Sequence, residues 1–144
     1  MSDQNRLLCR ELSLLAFNRR VLAQAQDARV PLLERLRFLC IVSSNLDEFF
    51  EVRMAWLKRE HKLRPSSHLD NGKTPAETIA AVSAEAHAII QEQYALFNDE
   101  LQPALSREGI HFYRRRNWTP AQRAWIERYF DCELLPILTP IGLD

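Results

Sequence analysis

The polar residues with the clearest chemical potential lie in the segment SSNLDEFFEVR, at positions 43 to 53. Hydroxyls, a carboxamide, carboxylates and a guanidinium interrupt an otherwise apolar run there. Asn45 and Glu48 fit a capping box, in which the N-cap side chain and an acid three residues later bond backbone amides. This spacing predicts that a helix begins at Asn45, and that the hydroxyls of Ser43 and Ser44 bond backbone groups at the junction.

The charged residues of the same segment have an equally simple interpretation. Asp47 and Glu48 would lie in the first turn of that helix, where carboxylates complement the positive helix end. Arg53 follows on the same helix and could pair with Glu48 or Asp47. From spacing alone, Asn45 is therefore interpreted as an N-cap and Arg53 as a salt-bridge partner.

Other familiar arrangements of catalytic residues are missing from the sequence. Its three glycines are too far apart to cradle a phosphate. Glu108 and His111 have the spacing of a di-metal motif, but Gly109 separates them and would end their helix. No nucleophile and orienting acid frame any of the histidines, which are His61, His68, His87 and His111. The residues alone thus predict no catalytic group and no metal site.

Charge balance argues against a nucleic-acid binder. Lysine plus arginine equals aspartate plus glutamate, at 19 each, so no overall field attracts a polyanion. The run HFYRRRNW, at positions 111 to 118, has arginines that could follow a phosphate backbone and aromatics that could stack on bases. Solvated arginines are the favoured interpretation of that run.

The distribution of apolar residues and cysteines indicates a cytoplasmic protein. No apolar run is long enough for a secretion signal or a membrane span. The cysteines are widely separated and lack a CxxC spacing, so we expect small buried apolar side chains in a reducing compartment. They are Cys9, Cys40 and Cys132.

Two long helical stretches must position the segment at 43 to 53. The first opens at Ser13 and ends near Asp27. Its apolar positions at helical spacing are Leu14, Phe17, Val21 and Ala25. The second opens at Pro31 and bends or breaks at the SSN sequence. Its apolar positions are Leu32, Leu36, Leu39, Leu46, Phe50, Met54 and Leu57.

A third helical stretch follows a loop at residues 62 to 74, which is rich in proline, glycine, serine and asparagine. Thr74, Pro75 and Glu77 supply an N-cap, a first-turn proline and a capping-box acid. The helix can reach about Arg107, with Pro103 bending its last turns. Its apolar positions are Ile79, Val82, Ala86, Ile90, Tyr94, Phe97 and Leu101.

The pattern changes near Gly109, which is expected to stop the third stretch. IHFYRR predicts a short strand, Thr119 and Pro120 start another helix, and PILTPIGLD resembles a segment entering a sheet. The predicted fold is mainly α: an antiparallel bundle of three helical stretches in residues 1–108, followed by the start of an α/β domain in residues 109–144. The chain is expected to be the front of a longer protein.

Residues 10 to 60 resemble the N-terminal domain of bacterial polyphosphate kinases, which polymerise the γ-phosphate of ATP. The blocks RELS, FN-x-RVL, PLLERL-x-FL, SSNLDEFF and VR-x-A-x-L occur together, in order and at the family's spacing. EGIHF and LLPILTPIGLD resemble more weakly the entry into the family's next, head domain. One departure is Leu14, where the family commonly has tryptophan.

The resemblance implies a role for Asn45 other than capping. Asn45 matches the family's ATP contact in this domain, near the adenine, and a carboxamide can both donate to and accept from a base edge. Arg53 is the less certain nucleotide contact. Asp47 and Glu48 would repel phosphates, so the triphosphate is expected to point away from them, toward basic groups of other domains.

The resemblance also implies what this chain lacks. In the family, the phosphohistidine forms in the C-terminal domains, so none of these histidines inherits that role and the fragment alone is expected to be inactive. The implied full-length enzyme is a phosphotransferase and phosphoprotein that uses ATP and Mg²⁺, the ion not being bound by this fragment. Its implied partners are its own other domains, polyphosphate and further copies of itself, in the cytoplasm at or near the inner membrane face.

A second hypothesis needs no nucleotide. In it the helical domain docks other proteins, with Phe49, Phe50 and Trp56 as anchors. Aromatic residues at helical spacing more often belong to a core, so this function stands as the alternative.

Overall fold

The structure, a computed structural model, describes residues 9–139 of the 144-residue chain. No β-strand occurs among the residues it describes. The longer elements are α1 (Arg10–Gln26), α2 (Leu32–Glu48), π1 (Phe49–Met54), α3 (Ala55–Leu63), α4 (Pro75–Ala95), π2 (Leu96–Leu101), α5 (Gln102–Arg107), α6 (Pro120–Tyr129) and π3 (Phe130–Leu134). Two short 3₁₀ turns complete the set, at Arg115–Asn117 and Leu135–Ile137.

The chain divides into two compact units, residues 1–110 and residues 111–144. The first unit contains three helical rods: α1, the rod α2–π1–α3, and the rod α4–π2–α5. Because α3 packs on α4 while α2 packs on π2, the second and third rods run antiparallel. The predicted mainly α bundle is confirmed, whereas the assignment of the second unit to an α/β domain stays a prediction.

The buried face of α1 differs from the apolar face that the sequence predicts. Leu14 and Phe17 are 41% and 51% exposed. The residues that α1 buries follow a spacing of four and three and include two polar side chains: Glu11, Leu15, Asn18, Leu22 and Ala25. The prediction was right for Ala25 and wrong for Leu14 and Phe17, because it counted apolar side chains only and two positions of the buried face are polar.

The two long rods each contain one π turn. Each π turn lies where the spacing between successive buried residues widens to five positions. In the second rod the buried residues follow spacings of three and four until Phe49, after which the next one is Met54. In the third rod a gap of the same length separates Leu96 from Leu101. An α-helix would rotate a residue five positions on away from the core, whereas the wider π turn, with i→i+5 hydrogen bonds, keeps it on the same face.

No helix begins at Asn45. Asn45 lies inside α2, whose backbone stays helical through Phe49, and neither Asn45 nor Glu48 caps a helix there. The predicted capping box is therefore wrong, and the change in the second rod occurs in π1 instead. Ser43, a polar residue of this segment, bonds across helices: its hydroxyl accepts a hydrogen bond from Gln93 of α4.

The predicted ends of the third rod are confirmed. The Thr74 hydroxyl accepts from the amide of Glu77 at 3.3 Å, and the Glu77 carboxylate accepts from the amide of Thr74 at 2.8 Å. At the other end, Gly109 has a φ of 79°. The amide of Ile110 donates to the carbonyl of Leu105 at 2.9 Å, which completes a glycine-terminated helix end.

In the second unit, the predicted helix at Thr119 is confirmed as α6, which begins with a second capping box. The predicted strand IHFYRR is not formed, because this segment has no neighbouring strand among the described residues and ends in a 3₁₀ turn. The last five residues of PILTPIGLD lie outside the described part of the chain.

The cysteines do not behave as the sequence predicts. Cys40 and Cys132 are exposed and Cys9 is half-buried, so the expectation of buried apolar side chains is wrong for the first two. Cys40 directly follows the buried Leu39, and neighbouring residues of a helix point in different directions.

Substituting Thr74 tests the cap of the third rod. We expect Thr74→Ala to lower the free energy of unfolding by about 1 kcal/mol, because an amide of the first turn of α4 loses its acceptor. Urea unfolding followed by circular dichroism measures this change. Ser66→Ala, at an exposed position of the preceding loop, is the control and should stay within about 0.5 kcal/mol. Equal effects of the two substitutions would contradict the assignment.

The carboxylate of the same cap makes stability depend on pH. Hydrogen bonds from the Thr74 amide and then its hydroxyl lower the pKa of Glu77 from its ordinary value of 4.5. The stabilisation is therefore present above that ordinary value and is lost as pH falls through the lower folded pKa. We expect the stability difference between the unchanged chain and Glu77→Ala to be larger at about pH 7 than at about pH 3. A difference that is the same at both pH values in urea unfolding would contradict this.

Candidate functional site

A chain of two carboxamides joins α1 to α2. The Asn45 amide nitrogen donates to Asn18 Oδ1 at 3.0 Å, and the Asn18 amide nitrogen donates to the carbonyl of Val42 at 3.1 Å. Asn18 is 3% exposed and Asn45 is half-buried. These two bonds satisfy the buried carboxamide of Asn18, which would otherwise destabilise the contact between the two helices.

Asn45 and Asn18 line a cleft of about 340 Å³ between α1 and the second rod. Its apolar wall includes the exposed side chains of Leu14, Phe17 and Val52. The charged residues at its surface are Arg10, Glu48 and Arg53. A concave surface of this size, mostly apolar and with a few converging polar groups, has the character of a small-ligand site.

The carbonyl oxygen of Asn45 is unbonded and not fully buried. Within residues 9–139, the buried side-chain nitrogens and oxygens without a partner are Arg53 Nε and Thr78 Oγ1. Asn45 Oδ1 accepts no hydrogen bond from these described residues and is not among the buried atoms. It is therefore available as an acceptor for a ligand.

Arg53 pairs with a residue far away in the sequence. Its Nη2 donates to Glu11 Oε1 at 2.6 Å, and its guanidinium carbon lies 5.6 Å from the centre of the Trp56 ring. The predicted pairing of Arg53 with Asp47 or Glu48 is wrong, because its guanidinium bonds the carboxylate of Glu11 instead.

Arg53 and Arg10 also line a second cleft, of about 430 Å³, on the side of α3 and the loop that follows it. Its surface has charges of both signs, including Glu60, Arg64 and Asp70. The two arginines thus lie at the boundary between a largely apolar cleft and a polar one.

The proposed docking anchors are divided between core and surface. Phe49 is 5% exposed and packs edge-to-face against the half-buried Phe50, with 5.8 Å between ring centres. Trp56 is 37% exposed and lies against Arg53. Phe49 and Phe50 therefore belong to the core cluster, and Trp56 alone of the three is at the surface.

The structure brings together both residues that the resemblance implies, because Asn45 and Arg53 line one cleft. Reasoning from residue types missed Asn18 and Arg10. The signal for Asn18 was its place in the four-and-three spacing with Leu15 and Leu22, in which a polar residue must find partners inside the bundle.

The histidines and acids do not form a further site. No group of three or more histidine, cysteine, aspartate or glutamate side chains is arranged to hold a metal ion anywhere in the described residues. His87 Nδ1 lies 2.6 Å from the carbonyl of Ser83 on its own helix, and His68 lines the polar cleft. No helix in the described part of the chain has the length and hydropathy that a bilayer crossing requires.

Fold and cleft together define a helical bundle domain with a small-ligand cleft between its first two rods. Comparison with known proteins gives the family. The family model described as "Polyphosphate kinase N-terminal domain" matches residues 7–113. This chain therefore belongs to the polyphosphate kinase N-terminal domain family.

Individual proteins similar to this chain are polyphosphate kinases as well. Over its whole length the chain is 77% identical to a polyphosphate kinase of Neisseria meningitidis and 51% identical to one of Burkholderia multivorans. It spans 21% of the length of each of these relatives. The crystal structure of the polyphosphate kinase from Porphyromonas gingivalis is similar, with a TM-score of 0.68 and 31% identity, over 93% of this chain and 19% of that one.

A double-mutant cycle tests the pair formed by Glu11 and Arg53. We expect Glu11→Ala to lower the free energy of unfolding by about 2 kcal/mol, because the arginine loses its acceptor at a largely buried site. Arg53→Met keeps the packing of the side chain and removes the charge. In urea unfolding, the double variant should be less destabilised than the sum of the two single variants. Additive effects would show that the pair contributes no coupling.

Proposed function

We propose that this chain is the ATP-contacting helical domain of a polyphosphate kinase, with the base of the nucleotide in the cleft between α1 and the second rod. One observation carries the proposal: Asn45, the residue that matches the family's ATP contact, lines this cleft with an accessible and unbonded carbonyl oxygen. A carboxamide held in this way can bond a base edge without a change in the bundle.

The apolar wall suits a flat aromatic ligand. Leu14, Phe17 and Val52 are 41%, 51% and 55% exposed, so a base placed against them would remove apolar surface from water. Leu14 has the position at which the family commonly has tryptophan. A leucine keeps this wall apolar while giving up the stacking surface of an indole ring.

The charges around the cleft favour one direction for the triphosphate. Glu48 lines the cleft, and a carboxylate repels phosphate oxygens. Arg10 and Arg53 line both this cleft and the polar cleft, which Glu48 does not line. The phosphates are therefore proposed to leave the cleft past Arg53, although its pairing with Glu11 uses part of its donor capacity.

Chemistry is proposed to take place outside this chain. The full-length enzyme would transfer the γ-phosphate of ATP to polyphosphate with Mg²⁺ and a phosphohistidine in other domains, as an oligomeric phosphoprotein at the cytoplasmic side of the inner membrane. None of the histidines here lines the cleft with Asn45. The chain alone is therefore expected to be inactive, and to bind ATP weakly because few contacts oppose the entropy lost on binding.

The alternative function, protein docking without a nucleotide, loses two of its three anchors. Phe49 and Phe50 are committed to the core cluster, which leaves Trp56 with its ring against Arg53. An anchor residue must be free to enter a pocket on the partner. The arrangement therefore favours the nucleotide role.

Asn45→Ala tests the proposed function in a grafted enzyme, in which this chain replaces the matching segment of the Neisseria meningitidis polyphosphate kinase. We expect the KM for ATP to rise about three- to tenfold, since one hydrogen bond of neutral groups is lost, with kcat changed less than about twofold. Steady-state synthesis of polyphosphate measures both constants. Asn98→Ala removes a carboxamide from an exposed position outside the cleft and should leave KM unchanged. An unchanged KM in Asn45→Ala would refute the nucleotide role.

A further inference from the structure

The orientation of the two carboxamides follows from one backbone carbonyl. The carbonyl of Val42 can only accept, so the group of Asn18 that faces it at 3.1 Å must be the amide nitrogen. The oxygen of Asn18 then faces Asn45. Because that oxygen can only accept, the nitrogen of Asn45 faces it, at 3.0 Å. The direction of both hydrogen bonds is therefore fixed: Asn18 donates to Val42, and Asn45 donates to Asn18.

We propose that Asn18 is a positioning residue that holds the Asn45 carboxamide in one orientation, and thereby favours an adenine over a guanine nucleotide. This inference rests on the proposed nucleotide role of Asn45. Asn18 is buried, and its nitrogen and oxygen are already bonded to Val42 and Asn45. It acts through Asn45, whose reversed orientation would place two oxygens against each other.

The fixed orientation suits one class of base. Asn45 keeps an accessible oxygen and the second hydrogen of its nitrogen for the ligand. Adenine presents an amino group that donates beside a ring nitrogen that accepts, which complements this pair. Guanine presents an oxygen in place of that amino group, and this oxygen would face the Asn45 oxygen. On its Watson–Crick edge guanine presents that oxygen beside a ring N–H that donates, which is the reverse of the adenine pattern. A free carboxamide could turn to suit this edge, whereas one bound to Asn18 cannot.

Asn18→Leu in the grafted enzyme removes the constraint while keeping a similar side-chain shape. We expect the KM for ATP to rise about threefold or more with kcat changed less than about twofold. The ratio of kcat/KM for ATP to that for GTP should fall about threefold or more, because the Asn45 carboxamide is then free to turn. In an Asn45→Ala background, Asn18→Leu should change neither quantity further.

Two further variants separate positioning from stability. Asn18→Asp retains an acceptor for the Asn45 nitrogen but brings a carboxylate oxygen against the Val42 carbonyl, so it should lower the melting temperature yet keep the ATP preference. Gln93→Met removes another side-chain hydrogen bond between rods, the one to Ser43, which is outside the cleft. It should keep the preference as well.

The outcomes distinguish the two proposals. If Asn45→Ala leaves the KM for ATP unchanged, the proposed function fails, and this inference fails with it. If Asn45→Ala raises the KM but Asn18→Leu keeps both the KM and the ATP preference, the inference alone fails. Loss of the preference in Gln93→Met to the same degree as in Asn18→Leu would also overturn it, since the effect would then follow from stability.

Discussion

The carboxamide of Asn18 is buried at the contact between α1 and α2, where each of its polar atoms needs a hydrogen-bond partner inside the protein. Its nitrogen donates to the Val42 carbonyl, and its oxygen accepts a hydrogen bond from the Asn45 nitrogen. Those two bonds fix the register of α1 on α2 as well as the orientation of Asn45. Ser43 and Asn45, which interrupt the apolar run of the second rod, therefore make contacts between helices, and the cleft beside Asn45 depends on the packing of the bundle.

The π turns of the second and third rods also keep apolar side chains in the core of the bundle. A rod with i→i+4 hydrogen bonds throughout would carry Met54 and Leu57 away from the core after Phe49, and Leu101 away from it after Leu96. Each π turn adds one residue to a turn and restores the buried face. Arg53 lies within the π turn of the second rod and bonds Glu11 of α1. One local change of helix type thus supports the core and forms one boundary of the cleft.

Packing between the rods combines apolar burial with paired polar groups. Arg19 of α1 bonds Glu85 and Glu92 of α4, and the hydrogen bond to Glu85 is the main reason that the pKa of Arg19 is raised. Leu14 and Phe17 remain exposed on the neighbouring face of α1 because the buried face already includes Glu11 and Asn18. The same helix, α1, therefore supplies both polar side chains that bond other helices and part of the apolar wall of the cleft.

Local sequence signals determined the helical rods, the loop before α4, the caps at Thr74 and Thr119, and the end at Gly109, because each depends on residues within about one helical turn of each other. The family blocks likewise pointed to Asn45. What only the tertiary structure decided was the buried face of α1, the partner of Arg53 and the partner of Asn45. A capping box at Asn45 satisfies the local rules, but the carboxamide reaches Asn18, 27 positions earlier in the chain. Hydrogen bonds between distant residues depend on how the rods pack, and neither spacing nor propensity along one helix contains that information.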